Sequence, residues 1–275
     1  MSEDDCEQAV RDRFPILDKL RIESPGVFEP APGSELELDD QDWIPSPLSQ
    51  SAYKAFTAAL DHLQAVRVQL DRPKPQLFPF AQLSLCRPAL LASSLVVWML
   101  TPNERQERCH RHRISIADEL RNHEKFLSEL SDGAPDHAST RSVLDHVQSR
   151  LKEMNAKLGI EGKRDWDRLR ESSTNQIGIA ADALGEHLAR GGSIDAAGQL
   201  AHEVKLSWRA TSGAAHGLTW QIAGTDSLRQ AGAPDEHGRA VFVAGGSFAQ
   251  LANHYCAALE MAKFSWELLR ARGGK

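Results

Sequence analysis

A chain of 275 residues with 41% hydrophobic side chains is long enough to bury a sizeable core, which excludes a generally disordered protein and leaves one large domain or two ordinary ones. The net charge of −6 gives no global attraction to nucleic acid or to an anionic membrane. Cys6, Cys86, Cys109 and Cys256 are scattered and form no Cys-x-x-Cys pair, so the pattern reads as free thiols in a reducing, cytoplasmic setting rather than a disulfide framework.

Residues 1–48 hold 13 acidic and 4 basic side chains, a balance of −9 that leaves +3 for the remainder. Acid clusters combined with Pro15, Pro25, Pro30, Pro32, Pro45 and Pro47 favour an extended or loosely attached N-terminal extension, in which Phe14, Ile16, Leu17 and Leu20 form at most a short docked helix. Residues 49–275 form the second expected unit, a helical domain. Ser49 or Ser51 caps its first long helix, where Tyr53, Phe56, Leu60, Leu63 and Leu70 repeat at steps of three and four or their sums. A second helix is expected over Leu83–Leu100, with Pro88 in its first turn or kinking it. Its uncharged run, Ala89–Leu100, has 12 residues and falls short of the roughly 17–25 that a membrane span needs, so it reads as core and no membrane partner is expected.

Pro102 is placed for the first position of a charged helix running to about Leu130. Its bases, among them Arg105, Arg108, His110, His112 and Arg113, are so mixed with acids that the pattern reads as a solvated helix laced with ion pairs rather than a phosphate-binding stripe. After the Ser131-Asp-Gly-Ala-Pro loop, Leu144, Val147, Leu151, Met154 and Leu158 mark a helix that ends at Gly159 and needs a close antiparallel partner. Trp166 and Leu169 suggest a short turn, and Ile177–Leu188 a helix.

Gly191-Gly192-Ser193 resets the chain into a helix whose apolar stripe is Ala197, Ala201, Val204, Trp208, Thr211 and Ala215. On another stripe His202, Lys205, Arg209, Ser212 and His216 follow at steps of three or four. Gly217 is a natural stop, which puts His216 in the last turn. Small residues Ser212, Gly213, Ala214 and Ala215 permit close approach of another backbone, and a homodimer with this helix near the two-fold axis is expected. Beyond Gly217, Leu218–Ala223 and Arg239–Ala244 read as a small hairpin or two extended arms around an exposed loop, Thr225–His237. Ser247-Phe-Ala-Gln250 opens a final helix with Phe248, Leu251, Tyr255, Leu259, Ala262, Trp266 and Leu269 on its core seam. The fold class is therefore mainly α: a helical bundle with a small β insertion before the C-terminal helix.

Phosphate loop, dinucleotide glycine pattern, His-Glu-x-x-His and nucleophile elbow are all missing. His110 and His112 are two apart on a helix and point roughly 160° from one another, so they do not chelate one metal. No metal or cofactor is expected. An Arg followed by a His after four to six intervening residues occurs four times: Arg105 with His110, Arg105 with His112, Arg141 with His146, and Arg209 with His216.

The order of helices, the segment Leu85-Cys-Arg-Pro-Ala-Leu-Leu leading to Trp98, and Arg209 to His216 followed by Gly217 resemble the HEPN-type helical proteins, loosely over residues 50–270. The resemblance implies a helical bundle that often dimerises. In its catalytic members an Arg and a His separated by four to six residues cleave RNA without metal, as in defence or toxin systems. Carried over, it nominates Arg209 and His216 as catalytic, while Ala210 departs from the polar residue common after the family's arginine. Lys205 or His202 would hold the neighbouring phosphate, and Ser212 would donate a hydrogen bond. The alternative class is a non-catalytic interaction or regulatory module in which the same stripe meets a protein partner.

Overall fold

A computed structural model describes residues 2–24, 26–72, 74–132, 138–192, 194–222 and 228–275. Pro25, Ser193, the centre of the expected loop at residues 133–135, Ala223 and residues 225–227 lie outside the described residues. The helices are α1 Glu3–Arg11, α2 Phe14–Glu23, α3 Glu35–Asp40, α4 Leu48–Leu70, α5 Ala81–Leu100, α6 Arg105–Asp132, α7 Ala138–Leu158, α8 Lys163–Leu169, α9 Ser173–Arg190, α10 Ile194–Ala215 and α11 Phe248–Arg272. Strands β1 Leu228–Gln230 and β2 Phe242–Ala244 form one antiparallel pair before α11. The protein is mainly α with a small hairpin, as its periodicity requires.

The uncharged α5 is the centre of the bundle and packs against α4, α11, α10, α9 and α6. By length and composition it could cross a membrane, yet Leu83, Cys86, Leu90, Val96, Val97 and Met99 are buried in this bundle. Pro88 sits inside it as the eighth residue, so Ser84 O lacks the helical donor another residue would supply. Around α5, the seam of α4 (Tyr53, Phe56, Leu60, Leu63 and Leu70) and that of α11 (Leu251, Tyr255, Leu259, Trp266 and Leu269) are buried as their spacing predicts. Antiparallel α7 packs on α6, and its register is marked by Gln148 Nε2 donating to Glu124 Oε1 at 3.2 Å and Arg121 Nη2 to Asn155 Oδ1 at 2.6 Å.

Three expectations are corrected by tertiary contacts. Residues 1–48 are not extended: α1, α2 and α3 bury Val10, Leu17 and Leu36 in the common core, and the segment after α3 adds Trp43. Stripes at helical spacing, such as Cys6 and Val10 or Leu17 and Leu20, are diluted in the average by the surrounding acids, some of which have specific tasks. Glu3 accepts from Phe248 N at 2.5 Å and Ala249 N at 3.0 Å, placing a carboxylate at the positive end of α11. Second, α6 begins at Arg105, three residues after Pro102. The carbonyls of Pro102 and Asn103 turn instead to the Arg108 guanidinium, at 3.1 and 2.6 Å. Third, residues 219–221 form a 3-10 turn and the first strand is β1, paired Leu228 with Ala244, Arg229 with Val243 and Gln230 with Phe242. The chain turns back after Gly217 because the Trp220 indole lies on Gly213, where a Cβ would come within 2.5 Å of the ring.

Gly246 permits a closer crossing. A Cβ there would stand 2.5 Å from Phe78 N and 2.6 Å from Leu77 C, both backbone atoms that cannot swing aside. Gly246→Ala is expected to destabilise the fold by about 1–3 kcal/mol, in the range of core overpacking, while Gly178→Ala in α9, with open space around it, should leave stability level or slightly raised. Urea unfolding of both variants checks this; equal midpoints would contradict the crossing.

Candidate active site

Helix α10 is fixed on one side and free on the other. Ala197, Val204, Trp208 and Thr211 are buried where α10 meets α5, α9 and α11. Trp208 Nε1 donates to Thr174 Oγ1 at 3.2 Å, and the Arg87 guanidinium lies 4.8 Å over its ring. Ser207 Oγ and His254 Nδ1 are 2.9 Å apart and tie α10 to α11. The helix ends in a paired cap: Gly217, at φ +65°, donates to Ala214 O at 3.0 Å, and Leu218 N donates to Gly213 O at 3.0 Å. His216 therefore sits at the C-cap, as the glycine predicts.

The outward face carries His202, Arg209 and His216 in solvent, with Ser212 half-buried between them. Arg209 and His216 stand seven positions apart, which is two turns, roughly 10 Å of rise and about 20° of rotation, so they share one face. Among the described residues neither side chain has a hydrogen bond or ion pair. Lys205 is drawn away: its ammonium binds Asp182 Oδ1 of α9 at 2.6 Å, which neutralises it as a phosphate hand. Gly213 and Ala214 are buried, the former under Trp220, so only Ser212 and Ala215 of the small residues remain for close approach. The clefts of about 420 Å³ between α6 and α7 and about 300 Å³ beside Trp266 are lined by other residues.

The other three Arg–His pairs separate in the structure. Arg105 donates to Leu38 O at 2.6 Å and reaches Asp39 at 3.5 Å. His112 is buried with Nε2 3.0 Å from Ser51 Oγ. Arg141 and His146 are both exposed, but five residues apart they point roughly 140° from each other around α7. Arg209 and His216 alone are both free and on one face.

Burial also assigns new roles to α6. The solvated ladder expected there exists in part, as Arg111 with Glu107 at 2.8 Å. Three of its other bases meet the acidic N-terminal segment: Arg105 reaches Asp39 at 3.5 Å, Arg108 is fully buried against Asp39 at 2.7 Å, and Arg113 is paired with Asp42. This pairing accounts for the uneven charge along the chain. No local rule links positions 39 and 108; only the excess of acid in one segment and of base in the remainder hinted at it.

Burial pushes the His112 imidazole down to about 4, against the pull of Asp42 and with the help of Arg113. His254 is likewise pushed down to about 4 by burial. A neutral imidazole beside the Ser207 hydroxyl has the form of a base and a nucleophile. Ser207 is fully buried, however, so the pair is closed to substrate and serves packing. Since His112 has its folded value below the ordinary 6.5, its stabilisation is complete above about pH 6.5 and is lost as pH falls toward 4. The difference corresponds to about 3 kcal/mol. Denaturant unfolding at pH 7 and pH 4.5 should show this loss, and His112→Gln should flatten it; an unchanged pH profile in that variant would contradict the assignment.

Among the described residues no group of three or more His, Cys, Asp and Glu side chains is placed to hold a metal ion. Comparison with protein-family models, with curated proteins and with solved structures finds no match.

Proposed function

We propose that the protein cleaves single-stranded RNA without metal through the outward face of α10, as its resemblance to HEPN-type proteins implies. The observation that supports this reading is the pairing of Arg209 and His216 as free side chains on one helical face, which the other three Arg–His pairs do not achieve. His216 takes the proton of the 2′-hydroxyl as its oxygen attacks the adjacent phosphorus; the P–O5′ bond breaks, and the departing 5′-oxygen takes a proton from water at this exposed face. Arg209 carries the negative charge of the phosphorane. The products are a 2′,3′-cyclic phosphate and a 5′-hydroxyl. His202 holds the neighbouring phosphate, Ser212 donates a hydrogen bond, and Lys205 joins only by leaving Asp182.

A single short cationic stripe makes a shallow site, and two copies meeting through α10 about a two-fold axis would deepen it into a groove. A second reading, a non-catalytic module that binds a protein partner, draws support from the apolar residues around the same face: Leu206 is 44%, Leu218 45% and Trp220 55% exposed. Incubation of the protein with mixed RNA in chelator decides between them. Cleavage that ends in cyclic phosphate and disappears in the Arg209/His216 double variant supports the nuclease; intact RNA with a self-associating protein gives the interaction module its place.

A further inference from the structure

Away from α10, a cleft of about 300 Å³ opens where the end of α2 and the residues after it meet α4 and the end of α11. That is the lower end of the roughly 300–1,000 Å³ typical of small-molecule sites. Its wall is aromatic. Phe28 stacks on Tyr53 with ring centroids 5.9 Å apart and meets Trp266 edge-on at 6.0 Å. The rings are pinned: Tyr53 Oη donates to Ser24 O at 2.5 Å, and Gln50 Nε2 to Phe28 O at 2.5 Å. Gly273 adds to this, since a Cβ there would stand 2.6 Å from the tip of the Phe28 ring. Val27, 71% exposed, supplies further apolar surface at the cleft.

The charges lining the cleft decide its ligand. Glu23 is already engaged, accepting from Trp266 Nε1 at 3.2 Å with Arg270 at 3.8 Å and Lys19 at 3.7 Å. The Lys275 ammonium lies 4.8 Å from the Phe28 ring centroid and pairs with no Asp or Glu side chain among the described residues. A cationic ligand would have to displace Lys275 from the ring and compete with two bases for Glu23. An anion meets the ammonium held over the Phe28 ring, beside the guanidinium of Arg270, which turns toward it from its 3.8 Å contact with Glu23, while its apolar body covers ring edges and Val27.

We infer that this aromatic cleft binds a small organic anion, a carboxylate or phosphate ester with a compact apolar body, through Lys275 and Arg270. The site is independent of the α10 face. Benzoate is the probe, with benzylamine and benzyl alcohol of like shape as cationic and neutral controls. The reporter is the Trp266 indole N–H in a nitrogen–proton correlation spectrum, identified by its loss in Trp266→Phe. Benzoate is expected to shift it saturably with a Kd on the order of 1 mM. Neither control should do so at that concentration. Lys275→Gln, which leaves the aromatic wall intact, should weaken benzoate by about tenfold. Absence of a saturable shift with benzoate, equal or tighter binding of benzylamine or benzyl alcohol, or unchanged affinity in Lys275→Gln would each overturn the proposal.

Discussion

Replacing Arg108 by alanine is expected to destabilise the protein by about 3–5 kcal/mol, the cost of breaking a buried ion pair from one side. The guanidinium is fully enclosed on α6 and uses its planar fork throughout. Nε and Nη2 reach the two oxygens of Asp39 at 2.7 and 3.2 Å, and Nη1 serves the carbonyls of Pro102 and Asn103 and lies 3.1 Å from Glu35. Truncation would leave Asp39, itself 1% exposed, with the half-exposed Arg105 at 3.5 Å as its remaining cation, and would take from the Asn103 carbonyl in the α5–α6 connection its side-chain donor. Arg272 of α11 donates to Leu100, Thr101 and Pro102 carbonyls from another side and pairs with Glu35, so the loss would spread to the end of α11. Arg108→Lys should recover little, because one ammonium does not reproduce the fork. A double variant, Arg108→Met with Asp39→Leu, should be more stable than Arg108→Ala, since no charge is left buried alone. Urea unfolding measures all three. A loss below 1 kcal/mol in Arg108→Ala would show that the network holds nothing together.

His216→Ala should lower RNA cleavage by about 10²–10⁴-fold, the usual contribution of a positioned general base. Arg209→Lys should lose about 10²–10³-fold, since the transition-state charge is then met by a point cation instead of a planar donor pair. Both residues are exposed and unpartnered among the described residues, so neither change should move stability by more than about 0.5 kcal/mol. The control is His146→Ala, an exposed histidine on α7 with no hydrogen bond or ion pair among the described residues. His112, which the charge pattern of α6 places in solvent, is buried against Ser51 and would confuse catalysis with folding. Cleavage at the wild-type rate in His216→Ala would end the nuclease reading.

The sequence by itself determined the helices and the face that each buries. The three-and-four spacing of Tyr53, Phe56, Leu60 and Leu63, and that of Leu251, Tyr255, Leu259 and Trp266, is a property of a few consecutive turns, and these seams are buried. The end of α10 was equally legible, because the left-handed cap at Gly217 depends on one residue's backbone freedom. For the same local reason Arg209 and His216 could be placed on one stripe, whereas their exposure, and the removal of Lys205 by Asp182, depends on α9. Tertiary structure decided everything that joins distant segments. The spacing of Asp39 and Arg108 carries no signal, since their meeting is set by how α3 lies on α6, and a guanidinium that scores as solvated becomes a buried hub. The N-terminal 48 residues read as loose because composition averages over a stripe only a few residues wide, and their acids look like solubilising charge until α6 supplies the counter-ions. The first strand escaped notice for a related reason: after Gly217 the chain turns so that Trp220 lies on Gly213, and the actual partner of β2 is a three-residue segment too short to show alternation.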